Sequence, residues 1–256
     1  MKINNKVVVV TGAGSGIGAA MARRFSQEGP AGLLLADLDG DSVDKLATEL
    51  GAIAHQIDVS DPGATANLIV ETEDQLGPID LFCANAGYGR AGSEQSDPDK
   101  WDRMWSVNVM SHVHAAKQLV PGWLARGEGY FLSTASAAGL LTNIGAAEYS
   151  VTKHAAVAFA EWLSVTYGDR GVKVSCLCPQ FVATPLVDAM SELKDLIGPS
   201  LIEPSVVADA VVHGLAAERF LILPHPEVEK YFQNKAADYD RWIAGMRKLQ
   251  SSVFPR

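Results

Sequence analysis

The chain has 256 residues, with 21 Lys and Arg against 30 Asp and Glu, so its formal net charge is −9. That balance excludes a surface built for nucleic acid or an anionic membrane, because no basic excess is available to neutralise phosphates. Apolar residues make up 48% and charged residues 20% of the chain, which excludes wholesale disorder.

Short apolar runs alternate with longer amphipathic stretches along the whole chain. The runs, which we predict as strands, are Val7–Val10, Leu33–Ala36, Ile53–Ile57, Ile79–Ala84, Tyr130–Ser133, Val172–Leu177 and Phe220–Leu223. The predicted helices between them include Ile17–Glu28, Trp101–Ala125, Glu148–Tyr167 and Val206–Ala217. Continuous rather than alternating apolarity is typical of strands buried on both faces of a parallel sheet.

This rhythm predicts an α/β fold, with a doubly wound, mostly parallel seven-stranded sheet of the Rossmann type and helices on both faces. No linker divides the chain, so we expect a single dinucleotide-binding and catalytic domain over residues 1–256. The tail, residues 226–256, does not follow the βα rhythm. Its apolar side chains recur at helical spacing, and they could dock on the chain's own domain, on a second subunit or along a substrate pocket.

A glycine-rich turn, Thr11–Gly18, follows the first predicted strand and precedes a helix. Glycines allow a tight turn and a close backbone approach, and the N–H groups of the following helix favour a pyrophosphate. Asp37 ends the second strand, where a carboxylate can accept hydrogen bonds from an adenosine ribose. Because this carboxylate would repel a 2′-phosphate, we expect NAD(H) rather than NADP(H).

Tyr149 and Lys153 stand four residues apart, on one face of a predicted helix. An ammonium group near a phenol favours the phenolate, so this pairing predicts a Tyr149 pKa below its usual value of about 10. Such a tyrosine could take a proton from an alcohol or return one to a ketone. Ser136 follows the fifth strand, at the edge of the sheet where ligands bind.

Seven motifs together resemble those of the short-chain dehydrogenase/reductase family, in its order and spacing. They are Thr11–Gly18, Asp58-Val59, Asn85-Ala86-Gly87, Asn108, Ser136, the Tyr149/Lys153 pair and the segment from Pro179 to Pro185. The resemblance implies hydride transfer between a nicotinamide and a carbinol carbon. It also implies that Tyr149 is the general acid/base, that Ser136 orients the substrate oxygen and that Lys153 holds the nicotinamide ribose. Asn108 would hold a water in a proton relay.

The same resemblance implies a cofactor site. Its residues would be Gly12, Ser15, Gly16, Ile17, Gly18, Asp37, Asp58, Val59, Asn85, Ala86, Gly87, Tyr149, Lys153, Pro179, Val182 and Thr184. The family usually has glycine after the proline at 179, whereas this chain has Gln180. A side chain there could narrow the pocket or supply a hydrogen bond to the substrate.

The resemblance also implies a substrate lid over residues 186–202. The apolar character of this segment favours a hydrophobic secondary alcohol or ketone, although the same residues could simply pack against the domain. Candidate substrate contacts are Gln180, Leu140, Asn143, Leu186 and Met190. Two alternatives to an NAD(H)-dependent alcohol dehydrogenase remain: an NADP(H)-dependent carbonyl reductase, and a catalytically silent cofactor-binding scaffold or sensor. The family also implies a homodimer or homotetramer.

Other features favour a cytoplasmic enzyme without a metal. No segment reaches the roughly 20 apolar residues that a membrane span needs. Three cysteines are an odd number and do not form a disulfide framework, which favours core thiols in a reducing compartment. His, Cys, Asp and Glu nowhere show the spacing of metal ligands.

Overall fold

The computed structural model describes residues 1–185 and 200–254, and the bounds of every element below are taken within them. The strands are β1 Val7–Thr11, β2 Gly32–Asp37, β3 Ile53–Gln56, β4 Leu81–Ala84, β5 Gly129–Thr134, β6 Val172–Leu177, β7 Phe181–Val182, β8 Leu201–Ile202 and β9 Leu221–Ile222. The α-helices are α1 Gly16–Ser26, α2 Gly40–Leu50, α3 Pro62–Leu76, α4 Pro98–Trp105, α5 Ser111–Arg126, α6 Ala138–Leu141, α7 Ala147–Tyr167, α8 Pro204–Ala216, α9 Pro226–Ala237 and α10 Tyr239–Val253.

Seven of the strands in this part of the chain form one parallel sheet, in the order β3-β2-β1-β4-β5-β6-β9. The prediction of a doubly wound, seven-stranded Rossmann-type sheet is confirmed. The order reverses between β1 and β4, and this switch point opens a crevice at the carboxyl ends of the strands. The glycine turn after β1 and the segment after β4 therefore meet at one place.

Both faces of the sheet are buried, as the continuous apolar runs predict. Along β1, Val8 and Val10 face a core layer that includes Phe25 of α1 and Val211 of α8. Val9 faces the opposite layer, which α3, α5 and α7 cover. A strand that is buried on both sides cannot tolerate a polar residue in either register, which explains the run of four valines.

The long helix predicted over Trp101–Ala125 is three segments: α4, a π-helical turn at Ser106–Met110, and α5. The π turn inserts an extra residue into the helical ladder, a feature that is frequent at functional sites. It contains Asn108. In the tail, the chain breaks at Asp238, whose side chain accepts a hydrogen bond from the Arg241 N–H and so caps α10.

The tail is only partly covered. Val228 of α9 is fully buried and Trp242 of α10 packs against the same core cluster, whereas Tyr239 is 59% exposed. Docking on the chain's own domain therefore accounts for part of the apolar stripe and not for all of it. Of the predicted lid, residues 186–199 lie outside the described residues, and Leu201–Ile202 form β8, which pairs with β7 in a small second sheet.

No helix within residues 1–185 and 200–254 is long and apolar enough to cross a membrane. Cys83, Cys176 and Cys178 are buried thiols, as expected for core cysteines. The Sγ atoms of Cys176 and Cys178 lie 3.8 Å apart behind the carboxyl edge of the sheet.

Candidate active site

A cleft of about 780 Å³ runs along the carboxyl edge of the sheet, from the glycine turn to Tyr149. Every residue predicted to bind the cofactor lines this cleft. Ser136 and Gln180 line it as well. The topological switch point thus brings together residues that are up to 173 positions apart in the sequence.

The glycine turn is packed so closely that Gly12 and Gly18 have no space for a side chain. Gly12 has φ +64°, and a Cβ there would lie 2.7 Å from the Cα of Ala86. A Cβ on Gly18 would overlap the carbonyl oxygen of Gly12, so the first turn of α1 packs directly on the preceding loop. Asn85 fixes the neighbouring strand end, since its Nδ2 donates to the carbonyl oxygens of Thr11 (3.0 Å) and Gly12 (3.3 Å).

Asp37 lies beside this turn at the end of β2. Its Oδ2 accepts a hydrogen bond from the Gly14 N–H (2.8 Å), and its Oδ1 accepts one from the Asp39 N–H (3.0 Å). A carboxylate oxygen can accept two hydrogen bonds, so each oxygen keeps acceptor capacity for a ligand in the cleft. The hydrogen bonds from the Gly14 and Asp39 N–H groups fix the orientation of the carboxylate, and therefore the direction of its remaining lone pairs.

Asp58 lies farther along the same side of the cleft, paired with Arg103 of α4. The Arg103 Nη1 is 2.9 Å from the Asp58 Oδ2. Burial pushes the pKa of Asp58 upward, but hydrogen bonds from Ser60 and the charge of Arg103 outweigh it, and the net pKa is lowered. Sequence reasoning missed Arg103, because no motif links a residue of α4 to an acid 45 positions earlier.

The predicted catalytic side chains converge at the other end. Ser136, Tyr149 and Lys153 line the cleft, whereas Asn108 lies behind it and is fully buried. The Asn108 Oδ1 accepts from the Tyr88 N–H (3.0 Å), and its Nδ2 donates to the Tyr88 carbonyl (2.9 Å) and the Thr152 hydroxyl (3.1 Å). Its side-chain amide therefore holds the loop after β4 against α7.

The pKa expected for Tyr149 is corrected by the structure. Burial raises the pKa of the Tyr149 phenol above 10, although the Ser136 hydroxyl acts in the opposite direction. Burial also lowers the pKa of Lys153 to about 8. The Lys153 Nζ lies 5.7 Å from the centre of the Tyr149 ring and donates to the Thr134 carbonyl (3.0 Å). Desolvation, which a sequence does not display, is the largest cause of both pKa shifts.

The predicted substrate contacts divide into three groups. Gln180 lines the cleft. Leu140 and Asn143 do not: the Leu140 side chain is in the core, and the Asn143 N–H donates to the Ser150 hydroxyl. Leu186 and Met190 lie outside the described residues.

Several residues that sequence reasoning did not select also line the cleft. They are Leu38, Ile57, Tyr88, Gly89, Arg103, Val107, Thr134, Ala135 and Pro185. Most of them directly precede or follow a predicted site residue, and that adjacency is the signal that could have found them. The described residues contain no cluster of three or more His, Cys, Asp and Glu side chains that could hold a metal ion.

The chain matches the family model of the short chain dehydrogenases over residues 6–195. It is 33% identical over 253 residues to a 1-deoxy-11-beta-hydroxypentalenate dehydrogenase from Streptomyces exfoliatus, covering 95% of this chain and 92% of that protein. It is 39% identical over 200 residues to a meso-2,3-butanediol dehydrogenase from Serratia marcescens, covering 76% and 79%.

Two solved structures are also similar. One is a short chain dehydrogenase/reductase from Burkholderia phymatum in complex with NAD (28% identity, TM-score 0.86, 94% of this chain and 96% of that one). The other is a 3-ketoacyl-(acyl-carrier-protein) reductase from Brucella melitensis complexed with NADH (27% identity, TM-score 0.80, 86% and 96%). The chain belongs to the short-chain dehydrogenase/reductase family of oxidoreductases.

Proposed function

We propose that this protein is an NAD(H)-dependent dehydrogenase that interconverts a secondary alcohol and its ketone, with Tyr149 as the general acid/base. The observation that carries the proposal is the meeting of Ser136, Tyr149 and Lys153 at one end of a glycine-lined cleft. A phenol, a hydroxyl and an ammonium group around one space can orient a carbinol oxygen and move its proton.

The residues present fit a dinucleotide. The turn from Gly12 to Gly18 admits a close backbone approach, and the N-terminus of α1 suits a pyrophosphate. Asp37 offers acceptors for an adenosine ribose, and the cleft continues from there to Thr134, Ser136 and Tyr149. When bound, the nicotinamide supplies the hydride donor or acceptor for the reaction.

The chain's own residues then handle the oxygen and the proton. Ser136 hydrogen-bonds the substrate oxygen, and Tyr149 accepts the hydroxyl proton in oxidation or donates it in reduction. Lys153 holds the nicotinamide ribose and keeps a positive charge near the phenolate as it forms. Asn108 keeps the loop after β4 against α7 and so holds the wall of the cleft that this loop forms. A water held by Asn108 would complete the proton relay.

Asp37 and the structural relatives support NAD(H) as the cofactor. The two similar structures contain NAD and NADH, and an ionised Asp37 would repel a 2′-phosphate. The relatives named above support an alcohol as the substrate, since hydroxypentalenate and butanediol both carry hydroxyl groups. The apolar segment 186–202 continues to favour a hydrophobic substrate.

An exposed apolar stripe on α7 supports a homodimer or homotetramer. Val151, Trp162 and Val165 lie on one face of the helix, and their side chains are 47%, 53% and 87% exposed. Trp162 follows Val151 by 11 residues and Val165 follows it by 14, which is close to three and four whole helical turns. A second copy of the chain would cover them.

A substrate screen tests the proposal. The wild type, supplied with NAD+ and a panel of secondary alcohols, is expected to produce NADH, followed by its absorbance. Tyr149→Phe should bind NAD+ and lose most of its activity, while Tyr167→Phe, at the far end of α7, is the matched control. Cofactor binding without turnover on any alcohol or ketone would instead favour the silent scaffold.

A further inference from the structure

The base of a bound dinucleotide would lie over the carboxyl end of β3. The glycine turn after β1 suits the pyrophosphate, and Asp37 at the end of β2 offers acceptors to the adjoining ribose. In the order of the sheet, the strand beyond β2 is β3, on the side away from Thr134 of β5. The cleft extends there along Ile57, Asp58 and Val59. The topology of the chain therefore directs the base toward these residues.

This end of the cleft has apolar walls and one pair of charges. Leu38, Ile57 and Val59 line it with hydrocarbon, whereas Asp58 and Arg103 supply a carboxylate and a guanidinium group. The side chains of both charged residues stay accessible, at 36% exposure for Asp58 and 43% for Arg103. A slot of this kind suits a flat aromatic ring whose edge carries polar groups.

Hydrogen bonds within the chain leave Asp58 with one defined acceptor. Its Oδ1 accepts from the Ser60 N–H (2.9 Å) and from the Ser60 hydroxyl (2.7 Å). Its Oδ2 accepts from the Arg103 Nη1 (2.9 Å). Because each carboxylate oxygen accepts two hydrogen bonds, the described residues fill Oδ1 and leave one lone pair on Oδ2. The partly exposed side chain lines the cleft, so that lone pair is open to a ligand.

Arg103 closes a ring of three side chains around this carboxylate. The same nitrogen, Nη1, also donates to the Ser60 hydroxyl (2.6 Å), which in turn donates to the Asp58 Oδ1. Ser60 and Asp58 follow β3, whereas Arg103 belongs to α4 and comes 43 residues after Ser60. Since Ser60 contacts Oδ1, the guanidinium group is the described contact that fixes the direction of Oδ2.

We propose that Arg103 is a positioning residue that aims the Oδ2 of Asp58 at the amino group of an adenine ring, and that it thereby makes the protein select 6-aminopurine over 6-oxopurine dinucleotides. A 6-amino group donates a hydrogen bond that Oδ2 can accept, whereas a 6-oxo group can only accept and would face the carboxylate unpaired. The inference rests on the proposed function, since it concerns the dinucleotide of the same cleft. Arg103 acts through Asp58 and takes no part in hydride transfer.

Binding measures this selection without turnover. NADH and reduced nicotinamide hypoxanthine dinucleotide, which carries a 6-oxo group in place of the 6-amino group, are titrated separately, and nicotinamide fluorescence reports both affinities. We expect the wild type to bind NADH about tenfold or more tightly than the hypoxanthine analogue, as one charged hydrogen bond predicts. Arg103→Met keeps the stem of the side chain and removes its donors, so it should lower this ratio of affinities about fivefold.

Two further variants separate positioning from a general structural role. Arg103→Lys keeps a cationic donor, and because one nitrogen makes both contacts, it should restore the ratio to within about threefold of the wild type. Asp58→Asn keeps an oxygen for Ser60 and places an amide NH2 group at Oδ2, which should abolish the preference. The double variant Arg103→Met/Asp58→Asn should have the same ratio as Asp58→Asn alone, because both changes act on one contact.

The matched control is Arg23→Met. Arg23 forms a similar exposed ion pair with Glu49 (2.9 Å) and does not line the cleft. Its affinities for both dinucleotides should stay within about threefold of the wild type, because an exposed ion pair contributes little.

Equal losses of affinity for both dinucleotides in Arg103→Met, with their ratio unchanged, would overturn the inference, because they indicate a general structural role. A wild type without a preference would overturn it too, and a wild type that binds neither dinucleotide would overturn it together with the NAD(H) assignment. If the wild type binds NADH selectively but oxidises no alcohol in the screen, the dehydrogenase assignment fails, and the ratio still decides the role of Arg103.

Discussion

The ammonium group of Lys153 donates its hydrogen bond to the carbonyl of Thr134, while its nitrogen stays 5.7 Å from the centre of the Tyr149 ring. Both side chains are almost completely buried: Tyr149 is 8% exposed and Lys153 is 3% exposed. Burial raises the pKa of Tyr149 and lowers that of Lys153 to about 8. The pair is therefore an uncharged phenol beside a destabilised cation, and the protein bears the cost of that cation in its stability.

Replacing Lys153 with an uncharged residue should remove that cost and raise the free energy of unfolding. The pKa of Lys153 is about 8 in the folded chain and 10.5 for a model lysine. Below pH 8 both states carry the proton and the full cost is present; between pH 8 and 10.5 the unfolded chain binds more protons, so wild-type stability rises with pH. Lys153→Met should therefore be more stable than the wild type at pH 7, by about 1–3 kcal/mol once the lost bond to Thr134 is deducted.

Urea unfolding at pH 7, 8 and 9.5 measures this difference, which we expect to shrink above pH 8. Lys153→Met should also lose turnover. The exposed Lys45 of α2 supplies the control, since Lys45→Met should change the free energy of unfolding by less than about 0.5 kcal/mol. A Lys153→Met protein that is less stable than the wild type at pH 7 would contradict this account of the pair.

The free-energy cost of burying the Lys153 ammonium group is an example of what the sequence does not predict. Periodicity and the glycine turn predict the sheet, and the spacing of Ser136, Tyr149 and Lys153 predicts which side chains meet. The direction of the Tyr149 pKa shift depends on how completely folding removes water from around the phenol, and residue spacing does not determine that. Likewise, nothing near Gln180 in the sequence indicates that His225, 45 residues later, holds its backbone.

Asp37 should control the choice of cofactor. Its two oxygens accept from Gly14 and Asp39 and keep acceptors for ribose hydroxyls. Asp37→Ser should weaken NADH binding about 10- to 100-fold, the loss expected for charged hydrogen bonds, and should improve NADPH binding by removing the repulsion. Fluorescence titration with each cofactor measures both affinities.

The exposed Asp41 of α2 provides a charge-matched comparison, because Asp41→Asn removes a carboxylate that does not line the cleft. Its affinities should stay within about threefold of the wild type, as is usual for exposed sites. Tighter binding of NADPH than of NADH by the wild type would be the opposite of what Asp37 predicts.

The stripe on α7 should be the contact between subunits. Introducing charge with Trp162→Glu and Val165→Glu would place carboxylates in a desolvated interface, so the double variant should be a folded protein of lower mass than the wild type. Light scattering after gel filtration measures the masses. Val70→Glu is the control, since Val70 is also 57% exposed but lies on α3. Identical masses for the wild type and the double variant would exclude this face.

His112 of α5 should limit stability in acid. The side chain is fully buried, its Nδ1 lies 3.0 Å from the Ser133 hydroxyl, and its Nε2 has no partner among the described residues. Burial, with a smaller contribution from the charge of Lys153, lowers the pKa of His112 from 6.5 to about 3. Between these values the unfolded chain binds more protons, so stability falls as the pH drops below 6.5.

The expected loss from His112 alone is on the order of 3 kcal/mol between pH 7 and pH 4. His112→Asn keeps a polar group near Nδ1 without a titrating ring. It should be less stable than the wild type at pH 7, because it leaves a cavity, but its stability should fall less steeply with acidity. Urea midpoints at pH 7, 5.5 and 4 measure both slopes, with the partly exposed His114 replaced by asparagine as the control on the same helix. Parallel slopes for His112→Asn and the wild type would show that the buried imidazole does not govern acid unfolding.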